Sequence, residues 1–410
     1  MTIFLAFILM LFSSCQQDNI NSNQDENKII QLDEKSAQLI EADNAFGLEI
    51  FQKIRAVSDK ENIMISPLSI SVALAMAYNG ADNDTKAEME QTLKVNGLTT
   101  DEINASYKSL IAALQSLDKD VVFEIADAIF YSQSFSVKQN FLDINHEVYD
   151  AEVQALDFSS PSAVPTINNW VANKTHDKIK TIIDNLSPND RMVLLNAVYF
   201  NGIWSLQFDE EGTHMLDFHK TDGTNIKVAM MNKEEKLDYT SNSLFDAIKM
   251  PYGNGQYNMV VLLPSNGKSS QDVIDNLSAT NWKNWMEGFT SEDHVVVTMP
   301  RFKFAFKMPL IDVLKEMGMQ KAFQPEIADF SKITDERLFI SSVLHKSFID
   351  VNETGTEAAA VTSITFTTTS AGEQPPKKYF IVDKPFVFAI TEKDTNAILF
   401  IGEVNHPEYE

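Results

Sequence analysis

The sequence predicts an α+β fold in one large domain, and two observations lead to this prediction. Helix-like segments dominate the first half of the 410 residues and strand-like segments the second, without alternating strand and helix units. No Pro-, Gly- or Ser-rich linker divides the chain internally, and hydrophobic residues make up 44% of it, enough for a single extended core. We therefore expect a large sheet with helices packed against it.

Apolar residues at helical spacing indicate the helices of the first half. Phenylalanine and isoleucine recur at three- and four-residue intervals over 42–57 and predict an amphipathic helix. The run that begins at Leu68 is small and apolar on every side, and so predicts a buried helix that ends at Asn79-Gly80. Helices are also predicted over 99–120 and 168–179.

Segments of strand length, rich in β-branched and aromatic residues, indicate the sheet. No fixed-period repeat accompanies them, which excludes a solenoid or a propeller. The predicted strands cover residues 121–131 and 192–200, several segments between 218 and 264, and residues 295–306, 339–351, 378–389 and 397–404.

The first 14 residues form an apolar run that is too short to cross a bilayer as a mature helix. It ends in F-S-S before Cys15, which resembles a bacterial lipobox, whose cysteine is diacylated and becomes the mature N-terminus. We expect a signal peptide over 1–15, a polar tether over 16–40 and the folded domain over 41–410. The protein would then be secreted and lipid-anchored through Cys15 in the cell envelope or at the cell surface. With an ordinary cleaved signal peptide, the alternative, it would be periplasmic or extracellular.

Charge and cysteine content exclude several kinds of partner and site. The chain carries 33 Lys and Arg against 58 Asp and Glu, a formal net charge of −25, so nucleic acid and heparin-like polyanions are repelled. Because Cys15 is the only cysteine, the domain has no internal disulfide and no cysteine-based metal site or nucleophile.

Catalytic motifs are absent from the sequence. It has no G-x-S-x-G, no H-E-x-x-H and no P-loop. His214 and His219 are close together, but five residues apart on a strand they face opposite sides and make a poor zinc pair. We expect neither an enzyme nor a bound metal or cofactor.

An unusual segment, E-T-G-T-E-A-A-A-V, begins at Glu353 and lies between two apolar strands. In extended form it presents one small, uncharged face, formed by Thr356, Ala358, Ala360 and Thr362. Such a face suits a strand that enters between two others above a filled core. It equally suits a flexible, solvated loop, and the segment alone does not decide between them.

Six motifs in order resemble the serpin family over residues 42 to 407. Each is modest alone, but the ordered set is specific. They are N-I-M-I-S-P-L-S-I from Asn62, L-L-N-A-V-Y-F-N-G-I-W from Leu194, M-P-R-F-K-F from Met299, A-D-F-S from Ala328, H-K-S-F-I-D-V-N-E-T-G-T-E-A-A-A from His345 and F-I-V-D-K-P-F-V-F-A-I from Phe380.

The resemblance implies three β-sheets, about nine helices and an exposed reactive-centre loop. It also implies inhibition of serine or cysteine endopeptidases. The protease cleaves the loop, and the freed strand inserts into the main sheet and traps the covalent acyl-enzyme; serpin loop insertion is itself a standard example of strand addition. The partner would be the target protease, bound by a monomeric inhibitor. A non-inhibitory serpin-fold binding protein is the alternative.

The resemblance also gives roles to individual residues. It implies a polar cluster beneath the sheet, the shutter, and a point where insertion begins, the breach, which contains Trp204. The segment that would insert is the hinge. The shutter residues are Ser66, Ser69, Asn196 and His345, and the hinge residues are Glu353, Gly355, Thr356, Ala358, Ala359 and Ala360.

The family's usual count from Glu353 places the reactive bond between Thr369 and Ser370, with Phe366 and Thr367 as neighbouring alternatives. Small residues favour a protease of elastase or subtilisin type, and Phe366 a chymotrypsin-like one. No Lys or Arg lies between Glu357 and Lys377, which argues against a trypsin-like target.

Overall fold

The structure is a computed structural model that describes residue 30 and residues 32–356 and 376–409. The described residues contain nine α-helices, and none of them is long and apolar enough to cross a membrane. The helices are α1 (Glu34–Val57), α2 (Pro67–Tyr78), α3 (Asn83–Thr92), α4 (Thr100–Leu114), α5 (Gln139–Tyr149), α6 (Ala163–Lys174), α7 (Ser270–Asp275), α8 (Ala279–Glu287) and α9 (Ile311–Glu316).

Fifteen strands accompany the helices in the described part of the chain. They are β1 (Ile63–Ile65), β2 (Val121–Ser132), β3 (Glu152–Leu156), β4 (Met192–Ile203), β5 (His214–His219), β6 (Asn225–Ser241), β7 (Phe245–Tyr252), β8 (Tyr257–Pro264), β9 (Thr290–Pro300), β10 (Phe302–Pro309), β11 (Ile340–Val351), β12 (Gly355–Thr356), β13 (Lys378–Ile381), β14 (Phe386–Glu392) and β15 (Ile398–Val404).

The strands form two hydrogen-bonded networks. The first is a six-stranded sheet in the order β10-β11-β12-β4-β2-β3, and we call it the main sheet. The second has nine strands in the order β1-β15-β14-β8-β7-β6-β9-β13, with β5 paired to β6. Strand β6 pairs with β5 over Asn225–Met230 and with β7 at its end. The family resemblance implies three sheets, whereas the described strands form two hydrogen-bonded networks, the larger of which runs continuously through β6. The α+β prediction is confirmed.

Helix α2 lies beneath the main sheet and is buried along its whole length, as its all-apolar composition predicts. Ser66 caps its N-terminus, and Pro67 occupies the first helical position, where a missing N–H leaves no lost hydrogen bond. The main sheet packs against this buried helix through β2 and β4.

The first helix begins seven residues before the predicted start of the folded domain at 41. Helix α1 begins at Glu34, where Asp33 accepts a hydrogen bond of 2.7 Å from the Ser36 N–H, so the segment predicted as a tether over 16–40 is helical from Glu34. Leu39 and Ile40 are buried in the core, and their burial stabilises the added turns. The signal peptide and Cys15 lie outside the described residues.

Helix α6 ends five residues before the predicted boundary at 179. The hydroxyl of Thr175 accepts a hydrogen bond from the Ile179 N–H at 3.1 Å, and His176 and Asp177 adopt left-handed backbone angles. These conformations stop the helix. Helix α4 likewise ends at Leu114 rather than at 120.

Two predicted strands are each two strands. The segment 295–306 divides at Arg301, where the chain passes from β9 in the nine-stranded network to β10 in the main sheet. The segment 378–389 divides before Pro385, which has no N–H for a ladder, and its halves pair with different strands. Strand-forming residues stand on both sides of each break, so the sequence pattern alone did not show where the chain changes partner strand.

Candidate functional site

Strands β4 and β11 separate part of the way along the main sheet. They pair in parallel from Ile340 with Met192 to Lys346 with Ala197. At the far end, β12 lies between them and is antiparallel to both, with Thr356 opposite Val351 on one side and Gly202 on the other. Between these two zones, residues 347–350 of β11 and 198–201 of β4 have no strand partner on their facing edges among the described residues. We call this four-residue opening the gap.

A tight turn at the end of β11 sends the chain back toward the gap. The Asn352 N–H donates to the Gly355 carbonyl at 2.9 Å. The side-chain oxygen of Asn352 accepts from the N–H groups of Thr354 and Gly355, at 3.0 and 3.3 Å. An asparagine that bonds its own backbone in this way fixes a turn. It therefore sets the direction in which β12 enters the sheet.

The segment that leaves β4 holds the backbone of this turn. The indole N–H of Trp204 donates to the Asn352 carbonyl at 2.9 Å, and its backbone N–H donates to the Thr354 carbonyl at 2.9 Å. The backbone N–H of Phe208 donates to the Glu353 carbonyl, also at 2.9 Å. Three successive carbonyls, from 352 to 354, are thus satisfied by one neighbouring segment, which fixes the start of the hinge.

Close contact with β4 requires glycine at position 355. A Cβ at Gly355 would lie 2.8 Å from the Ile203 Cα and would also meet the Gly202 carbonyl oxygen. Both contacts are with backbone, which cannot move aside as a flexible side chain can. Any other residue would therefore push β12 out of the sheet.

Thr356 is buried at the top of the gap, with 1% of its surface exposed. Its hydroxyl lies 2.7 Å from the Tyr252 hydroxyl, and the Tyr252 ring stacks on Trp204 with centroids 4.3 Å apart. Burial raises the pKa of Tyr252, so the phenol is neutral at physiological pH and can share a hydrogen bond with the threonine. A small polar side chain fits this position.

Glu353 is a buried acid with a charged partner. One carboxylate oxygen accepts from the Arg301 guanidinium at 2.6 Å from Nε and 2.5 Å from Nη2, and also from the Thr213 hydroxyl. The Glu353 side chain is 4% exposed and that of Arg301 is 27% exposed. Three donors on one largely desolvated oxygen make this contact a strong anchor for the turn.

A buried lysine supports the Trp204 side of the breach. The Lys233 ammonium donates to the Leu206 carbonyl at 2.6 Å, lies 2.8 Å from a Glu235 carboxylate oxygen and sits 4.6 Å from the Phe208 ring centroid. Burial lowers the pKa of Lys233, and the adjacent Glu235 carboxylate opposes that shift. The ion pair and the aromatic contact hold the segment that in turn holds the hinge.

The four predicted shutter residues lie together, all buried, where β4 and β11 pair above α2. The Ser66 N–H donates to His345 Nε2 at 3.2 Å, so Nε2 is an acceptor and the proton of the neutral ring is on Nδ1. Nδ1 then donates to the Asn196 side-chain oxygen at 2.5 Å. The Asn196 amide donates in turn to the Ser69 hydroxyl. A continuous network therefore joins α2 to both strands.

Burial sets the protonation of this network. It lowers the pKa of His345 to about 3, which keeps the imidazole neutral over the physiological range. Asp127 of β2, also buried, accepts from the Asn196 amide at 2.5 Å, and burial raises its pKa well above the ordinary range. A protonated His345 would present an N–H to the Ser66 N–H, so the network requires the neutral ring.

Sequence patterns missed four residues of this site. Arg301 lies inside one of the six motifs, but nothing in that motif shows that its partner is Glu353. Thr213, Tyr252 and Asp127 come from other strands or loops, and no local pattern indicates them. The remaining predicted residues, Cys15, Ala358, Ala359, Ala360, Phe366, Thr367, Thr369 and Ser370, lie outside the described residues.

The histidines considered as zinc ligands stand at opposite ends of β5, and both are exposed. His219 bonds Asn225 at 2.9 Å. Within the described ranges, no group of three or more His, Cys, Asp or Glu side chains could hold a metal ion.

The chain is similar to known proteins along most of its length. A family model described as serpin (serine protease inhibitor) matches residues 41–407. An uncharacterized serpin-like protein of Thermococcus kodakarensis is 35% identical over 374 residues, which cover 90% of this chain and 86% of that protein.

Two solved structures are similar along nearly their whole length. The thermophilic serpin tengpin in its native state has a TM-score of 0.83 and 34% identity, covering 92% of this chain and 96% of that one. Human thyroxine-binding globulin, complexed with thyroxine, has a TM-score of 0.82 and 29% identity, covering 91% and 100%. The similar proteins include protease inhibitors and non-inhibitory members.

Proposed function

Because the chain belongs to the serpin family, we propose that it inhibits serine or cysteine endopeptidases by cleavage-triggered insertion of its reactive loop. Serpins are generally protease inhibitors rather than enzymes. The observation that carries the proposal for this chain is β12, which already lies between β4 and β11 at the head of the gap.

The length of the gap matches the residues that follow β12. Four residues of each flanking strand are unpaired across it, and the four residues after Thr356 are Glu357, Ala358, Ala359 and Ala360. Three of these four are alanine, which fits any strand position without steric conflict. A continued β12 would fill the gap without displacing any existing strand pair.

The register of β12 also supports entry of the following residues into the gap. With Thr356 opposite Val351, a continuous antiparallel strand brings Ala358 opposite Ile349 and Ala360 opposite Ser347. Directly opposite residues share a face, and Val351, Ile349 and Ser347 are buried against the core. The small face predicted from the sequence therefore matches the face that must turn inward.

Insertion beyond the gap must break the shutter. Position 362 would come opposite His345, which is paired with Asn196 across the boundary of β4 and β11. The 2.5 Å hydrogen bond between these side chains crosses the path of the entering strand. The uncleaved loop can therefore start insertion, but its completion requires the two strands to separate.

Completed insertion is favourable in free energy. Each added residue contributes ladder hydrogen bonds worth about 1 kcal/mol each. Each buried methylene adds about 0.8 kcal/mol. Over a full strand these terms exceed the loss of the β4–β11 pairing, because one pairing is replaced by two.

A non-inhibitory binding function is the second candidate, because a similar structure is that of thyroxine-binding globulin with thyroxine. In that function the loop would not need to enter the sheet. The uncharged, small residues at 356 and 358–360 favour the inhibitory proposal, since a bulky or charged hinge would be tolerated only where no insertion occurs.

The proposed target is a protease with a small or hydrophobic primary pocket. The proposed reactive bond is Thr369–Ser370, with Phe366 and Thr367 as neighbouring sites. Elastase- and subtilisin-like enzymes accept the small residues, and chymotrypsin-like enzymes accept Phe366. The absence of Lys and Arg from 358–376 argues against trypsin-like enzymes.

Incubation with pancreatic elastase, subtilisin, chymotrypsin and trypsin tests the proposal. Denaturing gels and mass spectrometry should detect a heat- and detergent-stable complex and a released peptide that begins at Ser370 or a neighbour. Cleavage in the loop by all of the first three enzymes without a covalent complex would contradict inhibition and favour the binding function. Trypsin serves as the specificity control.

We further propose that the protein is a secreted, bacterial lipoprotein that works as a monomer. The apolar run before Cys15 and the polar residues after it support anchoring of the diacylated cysteine to a membrane. Expression in a bacterial host with labelled palmitate should label the wild type and leave Cys15→Ala unlabelled. Equal labelling of both would contradict the anchor and leave a secreted, unanchored protein.

A further inference from the structure

A cavity of about 610 Å³ lies beside the turn that joins β6 to β7, where it meets α8. This volume is within the range of about 300–1,000 Å³ that is usual for small-ligand sites. The cavity is separate from the gap and the shutter. Its lining contains an unusual number of asparagines together with Lys268 and Trp285: the asparagines are Asn242, Asn276, Asn281 and Asn284.

Backbone contacts fix how three of these amides are oriented. The Asn242 oxygen accepts from the N–H groups of Leu244 and Phe245, at 2.8 and 3.0 Å, which leaves its amide N–H₂ without a partner among the described residues. The amides of Asn276 and Asn281 each donate 2.8 Å hydrogen bonds to backbone carbonyls. Their side-chain oxygens therefore remain available as acceptors.

Three more groups at the cavity have no hydrogen-bond partner in the described part of the chain, and the Lys268 ammonium acts on the Asp272 carboxylate only through its charge. They are the amide of Asn284, the indole N–H of Trp285 and the ammonium of Lys268. The Trp285 ring packs edge-to-face against the buried Phe245, with centroids 4.9 Å apart. This contact holds a flat, half-buried aromatic surface in a fixed place.

The mixture of groups selects the class of ligand. Anions such as phosphate or sulfate need donors only, and the two free amide oxygens of Asn276 and Asn281 would repel them. Sugar hydroxyls both donate and accept, and the C–H face of a pyranose ring packs on a flat aromatic side chain. We propose that this cavity binds a short, neutral oligosaccharide, stacked on Trp285 and hydrogen-bonded by the asparagine amides.

The cavity and the base of the reactive loop contact neighbouring residues of β6, whose side chains point to opposite faces of the strand. Lys378, the first residue of β13 after the segment 357–375, places its ammonium 4.0 Å from the Tyr239 ring centroid. The following residue, Thr240, lines the cavity. A bound sugar would thus hold the inhibitor with its loop close to the surface that carries the sugar, whether that surface is a polysaccharide or a glycosylated protease.

Calorimetric titration of the full-length protein with neutral di- and trisaccharides tests the proposal, with maltose, cellobiose, lactose and chitobiose as probes. We expect saturable binding of at least one series below about 1 mM, a weak-site affinity. Trp285→Ala should weaken it at least tenfold, and Asn284→Ala should weaken it several-fold. Lys283→Gln, on the same helix but outside this cavity, is the matched control and should bind as the wild type.

A further variant, together with Asn284→Ala, keeps the test decisive if Trp285→Ala fails to fold. Trp285→Phe retains a flat ring but loses the N–H, and should reduce affinity by a few-fold, as should Asn284→Ala. Binding of no saccharide, or binding of sulfate that Lys268→Gln abolishes while Asn284→Ala leaves it intact, would overturn the proposal. Two measurements then distinguish whether the sugar belongs to a polysaccharide or to the protease. The first is retention of the protein on immobilised polysaccharide, and the second is covalent complex formation with glycosylated and with deglycosylated protease.

Discussion

Replacement of Thr356 by arginine tests the insertion mechanism directly. Thr356 is 1% exposed and lies between β4 and β11, against the neutral hydroxyl of Tyr252. Glu353, the nearest acid among the described residues of this segment, is already engaged by Arg301. The adjacent Glu357 would point to the opposite face of an extended strand. A guanidinium at this position would therefore be buried without a partner. We expect β12 of the variant to withdraw from the sheet, so that the strand can enter only by burying the charge.

The magnitude follows from the cost of that burial. An unpaired charge in a desolvated site costs several kcal/mol even after relaxation. At about 1.4 kcal/mol for each factor of ten in rate, a cost of about 3 kcal/mol slows insertion about 100-fold. Hydrolysis of the acyl-enzyme, which takes place away from this residue, keeps its rate. The balance should then move from trapping to release, and the inhibitor becomes a substrate.

The assay compares covalent complex with cleaved inhibitor on denaturing gels, at several ratios of inhibitor to the protease that the wild type traps. Thr356→Val is the matched control, because valine has nearly the same shape as threonine. It lacks the hydrogen bond to Tyr252 both before and after insertion, so the loss does not favour either state. It should form normal complex with a modest loss of stability, about 1 kcal/mol. A Thr356→Arg variant that gives as much covalent complex as the wild type would refute the insertion argument.

Three more variants test the rest of the site. Glu353→Lys should lower the free energy of unfolding, measured in urea, by about 3–5 kcal/mol, because it places a second cation beside Arg301. Combining it with Arg301→Glu should recover part of the loss. An unchanged urea midpoint in the single variant would contradict the role of Glu353 as an anchor. Gly355→Val should expel β12 and accelerate hydrogen exchange at the Trp204 amide, which bonds Thr354; exchange as slow as in the wild type would show that the position tolerates a side chain. The difference in unfolding free energy between the wild type and His345→Asn should shrink as pH falls below about 6.5 toward 3, by about 1.4 kcal/mol per pH unit. The reason is that the pKa of His345 is lower in the folded state than in the unfolded state, so the unfolded state takes up the proton first. Unfolding measured on both proteins across this range removes the contributions of the titratable groups that they share, and a difference independent of pH would contradict the neutral ring.

Local sequence patterns predicted the helices and strands whose buried residues follow a single regular pattern. Helix α2 is apolar on every side and buried throughout, and the alternation in 339–351 placed β11 to within a residue. The misplaced boundaries depend on single contacts that no pattern carries. The Ser36 N–H bonded to Asp33 starts α1 early, and the change of sheet at Arg301 divides a segment that is rich in strand-forming residues on both sides.

The candidate site divides in the same way. The shutter residues and Trp204 stand within ordered motifs, so the family resemblance identified them without any knowledge of their contacts. Tyr252 and Asp127 contribute through three-dimensional proximity, from strands that lie far from the hinge in sequence. Burial keeps the phenol of Tyr252 neutral beside Thr356, and it raises the pKa of the Asp127 carboxyl group beside Asn196. Sequence reasoning had no means of placing either beside its partner.

The incomplete main sheet explains how one chain can be stable and yet ready to change. The first four residues after Thr356 can enter the gap while every existing strand pair is kept, so early insertion meets no barrier from the sheet. The next residues must separate β4 from β11, which are joined by the pairs from Ile340 to Lys346 and by the His345–Asn196 hydrogen bond. Beyond the undescribed segment, Lys378 bonds the Glu292 carboxylate and β13 pairs with β9, so this end of the loop is held to the body of the protein. In the proposed mechanism, cleavage frees the inserting segment from that end, and the barrier at the shutter then determines whether insertion outruns hydrolysis of the acyl-enzyme.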